Sequence, residues 1–320
     1  MLACLTMIDD LAEVKSNLER LCKLKGWKIK YLNAPSLDVL LDYKNYIKAI
    51  YMNPNKSHIY FNREVLSKLK KLEVFCTAST GTVHIDLVEA EKLGVKVINI
   101  KKYQNVLRKI PSTAELAYTL TLDGLRKVTK SHNEAIQELS WDFEKYIGKQ
   151  IKDIKAGIIG YGRLGKIYSE MMMNSGANVK LLDPRLSLDF ELDLQSFMKE
   201  LSSFDVIAIH IHAEGNEKFI DESFFKRMKH DVVLVNTSRG EIVDHEALFS
   251  FLKSNIDATY CTDVIPHESN NKKRNNFLRE AANTANLIVT QHIGGMSSGA
   301  RKLAFGLASE LLLNFYGFDK

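Results

Sequence analysis

Ala156-Gly157-Ile158-Ile159-Gly160-Tyr161-Gly162-Arg163-Leu164-Gly165 is the stretch on which the fold turns. A short apolar run, Ala156–Gly160, leads into three glycines at G-x-G-x-x-G spacing, and Arg163–Asn174 continues with helical periodicity. Alone the glycine pattern is weak. Its setting strengthens it: a strand precedes it, a helix follows it, and Asp183 ends the next apolar run 18 residues past the last glycine.

Each glycine then has a task. Gly160 permits the tight turn, Gly162 lets backbone approach a pyrophosphate, and Gly165 lets the helix pack on the sheet. The N–H groups at the helix start, around Arg163 and Leu164, suit an anion. Asp183 is placed to accept hydrogen bonds from both adenosine ribose hydroxyls and to repel a 2′-phosphate, which selects NAD over NADP. Arg185 is the residue that would overturn that choice; its other reading is a solvated surface arginine.

Working outward, the second half alternates strands and helices. Strands are expected at 156–160, 179–182, 205–212, 232–236, 258–264 and 287–291. Helices fall between most of them, one of which, 244–253, opens on Asp244 as N-cap. Apolar strands joined by crossover helices imply a parallel sheet wound on both faces. The first hundred residues repeat the alternation without a glycine fingerprint. Strands are expected at 2–8, 28–32, 49–51, 72–78 and 95–99, with helices at 11–24, 63–70 and 85–93, the last stopped by Gly94. A helix starting near Ser112, with Glu115 as a capping-box partner, bridges the halves. Residues 297–314 are helical in pattern and are expected to return to the first domain. The fold is therefore α/β: a Rossmann NAD domain over residues 112–292, and a smaller, discontinuous flavodoxin-like domain from 1–111 and 293–320.

Composition narrows the function classes. The chain has 320 residues, 45% apolar and 26% charged, which suits a soluble two-domain protein. The net charge of +5 is spread: 44 basic and 39 acidic residues are interleaved. Lys101-Lys102 and Lys272-Lys273-Arg274 read as loop charge, and without interleaved aromatics nucleic-acid binding has no support. Cys4, Cys22, Cys76 and Cys261 are scattered, so neither a metal nor a disulfide is expected. No apolar run reaches membrane-spanning length, and the N-terminus lacks the basic region of a signal peptide, so the expected location is cytoplasmic.

In a doubly wound sheet the loops at the carboxyl ends of the strands border the ligand crevice. Four segments fall there: 210–215, 236–240, 263–268 and 292–295. They hold Arg239, Glu268 and His292, the three residue types that reduction of a 2-oxo acid needs. A guanidinium at 239 binds a carboxylate through two parallel hydrogen bonds and polarises the adjacent ketone. An imidazole at 292 gives the ketone oxygen a proton, or takes it back in reverse. A carboxylate at 268 would hold the other ring nitrogen and favour the imidazolium. Arg239 before Gly240 also reads as a turn cap, His292 as a core histidine, and Glu268, beside His267 and the polar 270–276 run, as an exposed-loop residue. Spacing alone leaves Glu268 open.

Asn236-Thr237-Ser238-Arg239-Gly240-Glu241-Ile242-Val243-Asp244, Asp263-Val264-Ile265-Pro266-His267-Glu268 and His292-Ile293-Gly294-Gly295 resemble the signature segments of the D-isomer-specific 2-hydroxyacid dehydrogenases, with the phosphoglycerate dehydrogenase branch the nearest likeness. Gly81-Thr82-Val83-His84-Ile85-Asp86-Leu87 and Ser112-Thr113-Ala114-Glu115 extend the likeness over nearly the whole chain. The resemblance implies that Arg239, Glu268 and His292 form the catalytic set. It also implies that backbone N–H groups near Thr80 and Gly81 meet the substrate carboxylate. Asp263 would reach the nicotinamide carboxamide, while Thr237 and His210 would line the cofactor. It further implies an NAD-dependent enzyme acting on a small anionic 2-oxo or 2-hydroxy acid, and a homodimer formed through the NAD domain.

The chain also departs from that pattern. Gln291 stands where proline usually precedes the histidine, and Ser269 where proline usually follows the glutamate; both alter backbone stiffness rather than chemistry. Val83 replaces a frequent aspartate, and residues 101–111 carry extra basic length, which puts substrate identity in doubt. Only 28 residues follow His292, too few for the regulatory domain of longer phosphoglycerate dehydrogenases. Lys56 and His58, with the basic stretch 101–109, are candidates for a substrate phosphate; the other reading is solvated loop charge. Two rival functions remain: an NAD(H)-binding corepressor-like regulator with the same fold, and an enzyme taking hydride from formate or phosphite.

Overall fold

The computed structural model describes residues 1–318 apart from 34, 54–58, 83, 185–190 and 269, so Lys56, His58, Val83, Arg185 and Ser269 lie outside the described residues. The chain divides into two compact units: Met1–Ile110 with Ser269–Asn271 and Met296–Lys320, and Pro111–Glu268 with Lys272–Gly295.

The first unit is a parallel sheet of β1 (Leu2–Cys4), β2 (Ile29–Tyr31), β3 (Ala49–Met52), β4 (Val74–Thr77) and β5 (Lys96–Ile98), in the order β2-β1-β3-β4-β5. That is the flavodoxin-like order. The three inner strands are buried along their whole length, because helices cover both faces. The last helix, Ser298–Phe315, belongs here. Ser309 Oγ accepts from Asn17 Nδ2 (2.9 Å), the Phe305 carbonyl accepts from the Tyr51 hydroxyl (2.8 Å), and the Ala308 carbonyl accepts from the Cys76 thiol (3.2 Å). These contacts join residues more than 230 positions apart, so only the folded chain reveals them.

The second unit holds β6 (Lys155–Ile159), β7 (Asn178–Leu182), β8 (Val206–Ile209), β9 (Val233–Asn236), β10 (Thr259–Thr262) and β11 (Leu287–Val289). All neighbours are parallel, in the order β11-β10-β9-β8-β6-β7. A single parallel bridge from Leu181 to Glu191 adds one ladder step beyond β7. The direction of winding reverses between β6 and β8, and there a doubly wound sheet opens its ligand crevice.

Local chemistry sets most helix starts. Asp244 caps His245–Ser254 by accepting from the backbone N–H of Glu246 and Ala247, as its sequence position indicates. Two expectations fail, and one helix was not foreseen. The Ser112–Glu115 capping box does not form. Pro111, with φ −82°, occupies the cap position, which places Ser112 inside the helix Ser112–Arg126 with its hydroxyl buried and without a partner. The polar run after Glu268 is not a loop but the start of the helix Asn271–Ala282, and Lys272-Lys273-Arg274 lies on it. Phe277 and Ala281, four residues apart, pack on Phe249 and Ile265, and tertiary burial overrides the polar composition. The helix Val128–Gln137, absent from the expected elements, buries none of its residues.

Candidate active site

The glycine loop fits a dinucleotide at each position. Gly160 has φ +96°, and a Cβ there would lie 2.7 Å from the His210 carbonyl oxygen. A Cβ on Gly165 would collide with the Gly160 carbonyl oxygen, so the helix can come this close to the strand only without a side chain. Gly162 has nothing within 4 Å of its missing Cβ, an open face for a phosphate. It precedes the helix Arg163–Asn174, which has no side-chain cap, so its leading N–H groups, from Arg163 and Leu164 onward, suit an anion. Asp183, at the end of β7 and almost fully buried, accepts from the Tyr161 N–H at 2.8 Å. Its carboxylate therefore also fixes the glycine turn, a role that spacing did not suggest.

Two further residues lie at the same end of the sheet, past β8 and β9. His210, at the end of β8, sets its ring against Tyr168 at 4.9 Å between centroids and a 46° tilt, and its Nε2 is buried without a partner. Burial lowers its pKa to about 4, so the ring is neutral at physiological pH. Thr237, just past β9, buries its hydroxyl without a partner. An unpaired buried hydroxyl beside the crevice end of the sheet is costly unless something binds there. The glycine cradle and this orphaned group together fit a dinucleotide.

The loop after β9 carries Arg239. Asn236 ties it down: its Nδ2 donates to the Arg239 carbonyl (2.9 Å), and its Oδ1 accepts from the Ser238 N–H (3.0 Å). Gly240 explains why a glycine follows the arginine. A Cβ there would strike the Ile265 carbonyl carbon and Pro266 nitrogen, so this loop lies flat on the loop after β10. Glu241 Oε1 then accepts from the His267 N–H at 3.0 Å, joining the two loops again. Arg239 itself is half-buried, with Nη1 donating to the Ser238 carbonyl.

The loop after β10 carries Glu268. Its Oε1 accepts from the Ile265 N–H (3.2 Å), and its Oε2 lies 2.6 Å from His292 Nδ1. Arg274, on the helix that replaced the expected loop, donates to the Glu268 carbonyl at 3.2 Å. A continuous set of contacts thus runs from Arg239–Gly240 through Ile265–Pro266 and Glu268 to His292. Three segments from three strand ends meet in one unit.

His292 adopts φ +54°, in the left-handed region that non-glycine residues seldom enter. Asp263 holds the loop in place. Its Oδ1 accepts from the Thr290 hydroxyl (2.5 Å) and the Ile293 N–H (2.8 Å), and its Oδ2 accepts from the Gly294 N–H (2.8 Å). These bonds keep residues 293 and 294 with the second unit. Asp263 thus binds the histidine loop directly, a placement that sequence reasoning missed. Thr80 and Gly81 are in the first unit, in the turn after β4, where the Ser79 hydroxyl donates to the Gly81 carbonyl at 2.7 Å. Among the described residues, no hydrogen bond from the N–H of either is present.

Residues 118–294 match the family model described as D-isomer specific 2-hydroxyacid dehydrogenase, NAD binding domain. The chain belongs to this family. It is similar to a glycerate dehydrogenase of Methylorubrum extorquens, 30% identical over 80% of the chain and 78% of that protein. It is also similar to a glyoxylate reductase of Thermococcus litoralis, 26% identical over 95% and 89%. A D-3-phosphoglycerate dehydrogenase of Archaeoglobus fulgidus is 28% identical over 81% of the chain, but the match covers only 48% of that relative's length. Among solved structures, the D-lactate dehydrogenase of Aquifex aeolicus complexed with NAD and lactic acid superposes with TM-score 0.77 at 21% identity, covering 99% of this chain and 96% of that one. NAD is the cofactor of this D-2-hydroxyacid dehydrogenase, in agreement with the cradle around Gly162 and the acidic Asp183.

Proposed function

We propose that the enzyme transfers a hydride between NAD and the 2-position of a small D-2-hydroxy or 2-oxo acid, with Arg239, Glu268 and His292 as its catalytic residues. The observation that carries this reading is the 2.6 Å contact between His292 Nδ1 and Glu268 Oε2, in loops packed against that of Arg239. The nicotinamide, when bound, supplies or accepts the hydride. Glu268 holds Nδ1, so the proton moves at Nε2, to or from the substrate oxygen on C2. Arg239 binds the substrate carboxylate in two parallel hydrogen bonds, with the N–H groups of Thr80 and Gly81 as further donors. Gly160, Gly162, Arg163, Leu164 and Gly165 cradle the pyrophosphate, Asp183 takes the adenosine ribose, and His210, Thr237 and Asp263 border the nicotinamide half.

The substrate we favour is a larger anionic acid of the glycerate or phosphoglycerate kind. Its support is the basic Lys101, Lys102, Arg108 and Lys109 stretch, together with the names of the relatives above. The test follows NADH absorbance at 340 nm against 2-oxo acids with and without a phosphate. We expect turnover that falls roughly 10²- to 10³-fold in Arg239→Ala, the scale of losing a bidentate charged contact. His292→Ala should lose 10²- to 10⁴-fold in kcat, about the range of general acid–base work, with NADH affinity intact. NADH binding without turnover on the whole panel would instead favour a corepressor-like regulator.

The enzyme acts as a homodimer through its NAD domain in this proposal. Leu139 and Trp141 are 88% and 95% exposed, and Val128, Ile136, Phe143 and Ile147 are also open to solvent. Six such side chains within one short stretch present an apolar area on the order of the ~800 Å² per partner of a standard interface. Sedimentation of the wild type should give a dimer and of Trp141→Glu a monomer; a monomeric wild type removes the proposal.

A further inference from the structure

His292 sits in a left-handed backbone conformation at the tip of an exposed turn, with Gln291 before it and Ile293 after it. Gln291 neither fixes its own φ nor narrows Thr290 before it, as a proline at 291 would, so the stiffness of the turn needs another source. Asp263 supplies one. Its buried carboxylate takes the Thr290 hydroxyl on one side of His292 and the Ile293 and Gly294 N–H groups on the other. Thr290 is anchored in turn by its own N–H, which donates to the Thr262 carbonyl at 2.9 Å. Gly294 lets the clamp close, since a Cβ there would lie 3.0 Å from Asp263 Oδ2 and from the Thr113 methyl. The histidine is therefore bracketed at 290, 293 and 294 by one carboxylate.

We propose that Thr290, acting through Asp263, is a positioning residue for His292, and that this clamp supplies the loop stiffness Gln291 does not. The inference rests on the reading of His292 as the proton-transferring group. It assigns Thr290 no contact with substrate or cofactor. Its hydroxyl fixes where the turn leaves β11, which sets the left-handed step at His292 and the approach of Nδ1 to Glu268. Without it, two backbone bonds remain on Asp263, and the ring samples orientations that miss Glu268. The Gln291 N–H is unused among the described residues, so a proline there removes no hydrogen bond.

The test compares Thr290→Val, Thr290→Ser, Thr290→Val with Gln291→Pro, and His292→Ala in the full chain. Thr290→Val keeps the shape and removes the hydroxyl. We expect its kcat to fall about 10- to 100-fold, the scale of a sub-ångström to one-ångström misplacement, with NADH affinity within about twofold of wild type. Thr290→Ser should stay near wild type, and adding Gln291→Pro should return part of the Thr290→Val loss. The low-field proton resonance of the Nδ1–H donated to Glu268 gives a readout independent of turnover. It should vanish in His292→Ala, shift or broaden in Thr290→Val, and hold in Thr290→Ser. Wild-type kcat and resonance in Thr290→Val overturn the clamp, as does an equal loss in Thr290→Ser or no recovery with proline. Retained turnover in His292→Ala would defeat the reading beneath it; loss there with an intact Thr290→Val defeats the clamp alone.

Discussion

The two units are built alike and use the same point of their sheets differently. Each has a first strand, β1 or β6, flanked by the second and third, and each therefore offers a crevice at that strand's carboxyl end. After β6 the chain gives Gly160, Gly162 and Gly165 and an uncapped helix start. After β1 it gives Asp9 and Asp10, and Arg301 from the last helix binds Asp10 and the Met7 carbonyl (2.9 Å). One crevice end offers the uncapped N–H groups of a helix start; the other carries two carboxylates, one of them paired with the protein's own arginine. Sheet order thus creates the opportunity, and a few side chains decide whether a phosphate can take it.

The sharpest way to break this contrast is to put a side chain into the glycine loop of the second unit. Gly165→Val forces the helix off the Gly160 carbonyl, and we expect NADH binding to be lost, as measured by fluorescence titration. Binding at wild-type strength would show that the glycine loop is not the phosphate cradle.

Asp183→Ala is the next largest test. It removes both the proposed ribose acceptor and the bond to the Tyr161 N–H. NADH affinity should fall about tenfold, the scale of a charge-assisted hydrogen bond, and the preference for NAD over NADP should narrow. An unchanged preference would move that role to a different group.

Acid offers the smallest and most graded comparison. His84 in the first unit is buried, His210 and His245 in the second are half-buried with their Nε2 atoms enclosed, and desolvation lowers each pKa from 6.5 to about 4. The unfolded chain therefore binds more protons than the folded one across that window. Stability from these groups is complete above pH 6.5 and lost as pH falls toward 4. With two such rings against one, the NAD unit should melt first on acidification, and bound NADH should delay it. Melting curves at stepped pH check this; a flat profile between 6.5 and 4 would contradict buried neutral imidazoles.

Much of this was legible from local pattern. The apolar runs marked the inner strands most clearly, because parallel strands covered on both faces are apolar nearly throughout, whereas the edge strands β2 and β5 are partly exposed. The glycines and the Asp244 cap were legible because their constraints lie within a few residues. The capping box at Ser112 was misread because Pro111 competes for the same position and its fixed φ wins. The helix at 271–282 was misread because two buried residues, Phe277 and Ala281, outweigh a polar run once Phe249 and Ile265 stand opposite.

By itself, then, the order of residues determined which segments are strands, where a phosphate can approach backbone, and which side chains carry usable chemistry. It left Glu268 undecided from spacing, because nothing local distinguishes a loop carboxylate from a partner of His292. Only the tertiary structure brought that carboxylate to 2.6 Å from a ring 24 positions away, laid Gly240 on Ile265, and made Asp263 the clamp of a loop 30 positions on. Hydrogen bonds and close packing of this kind join residues whose separation along the chain carries no periodicity, so they exist only once the strand ends have been gathered on one edge of the sheet.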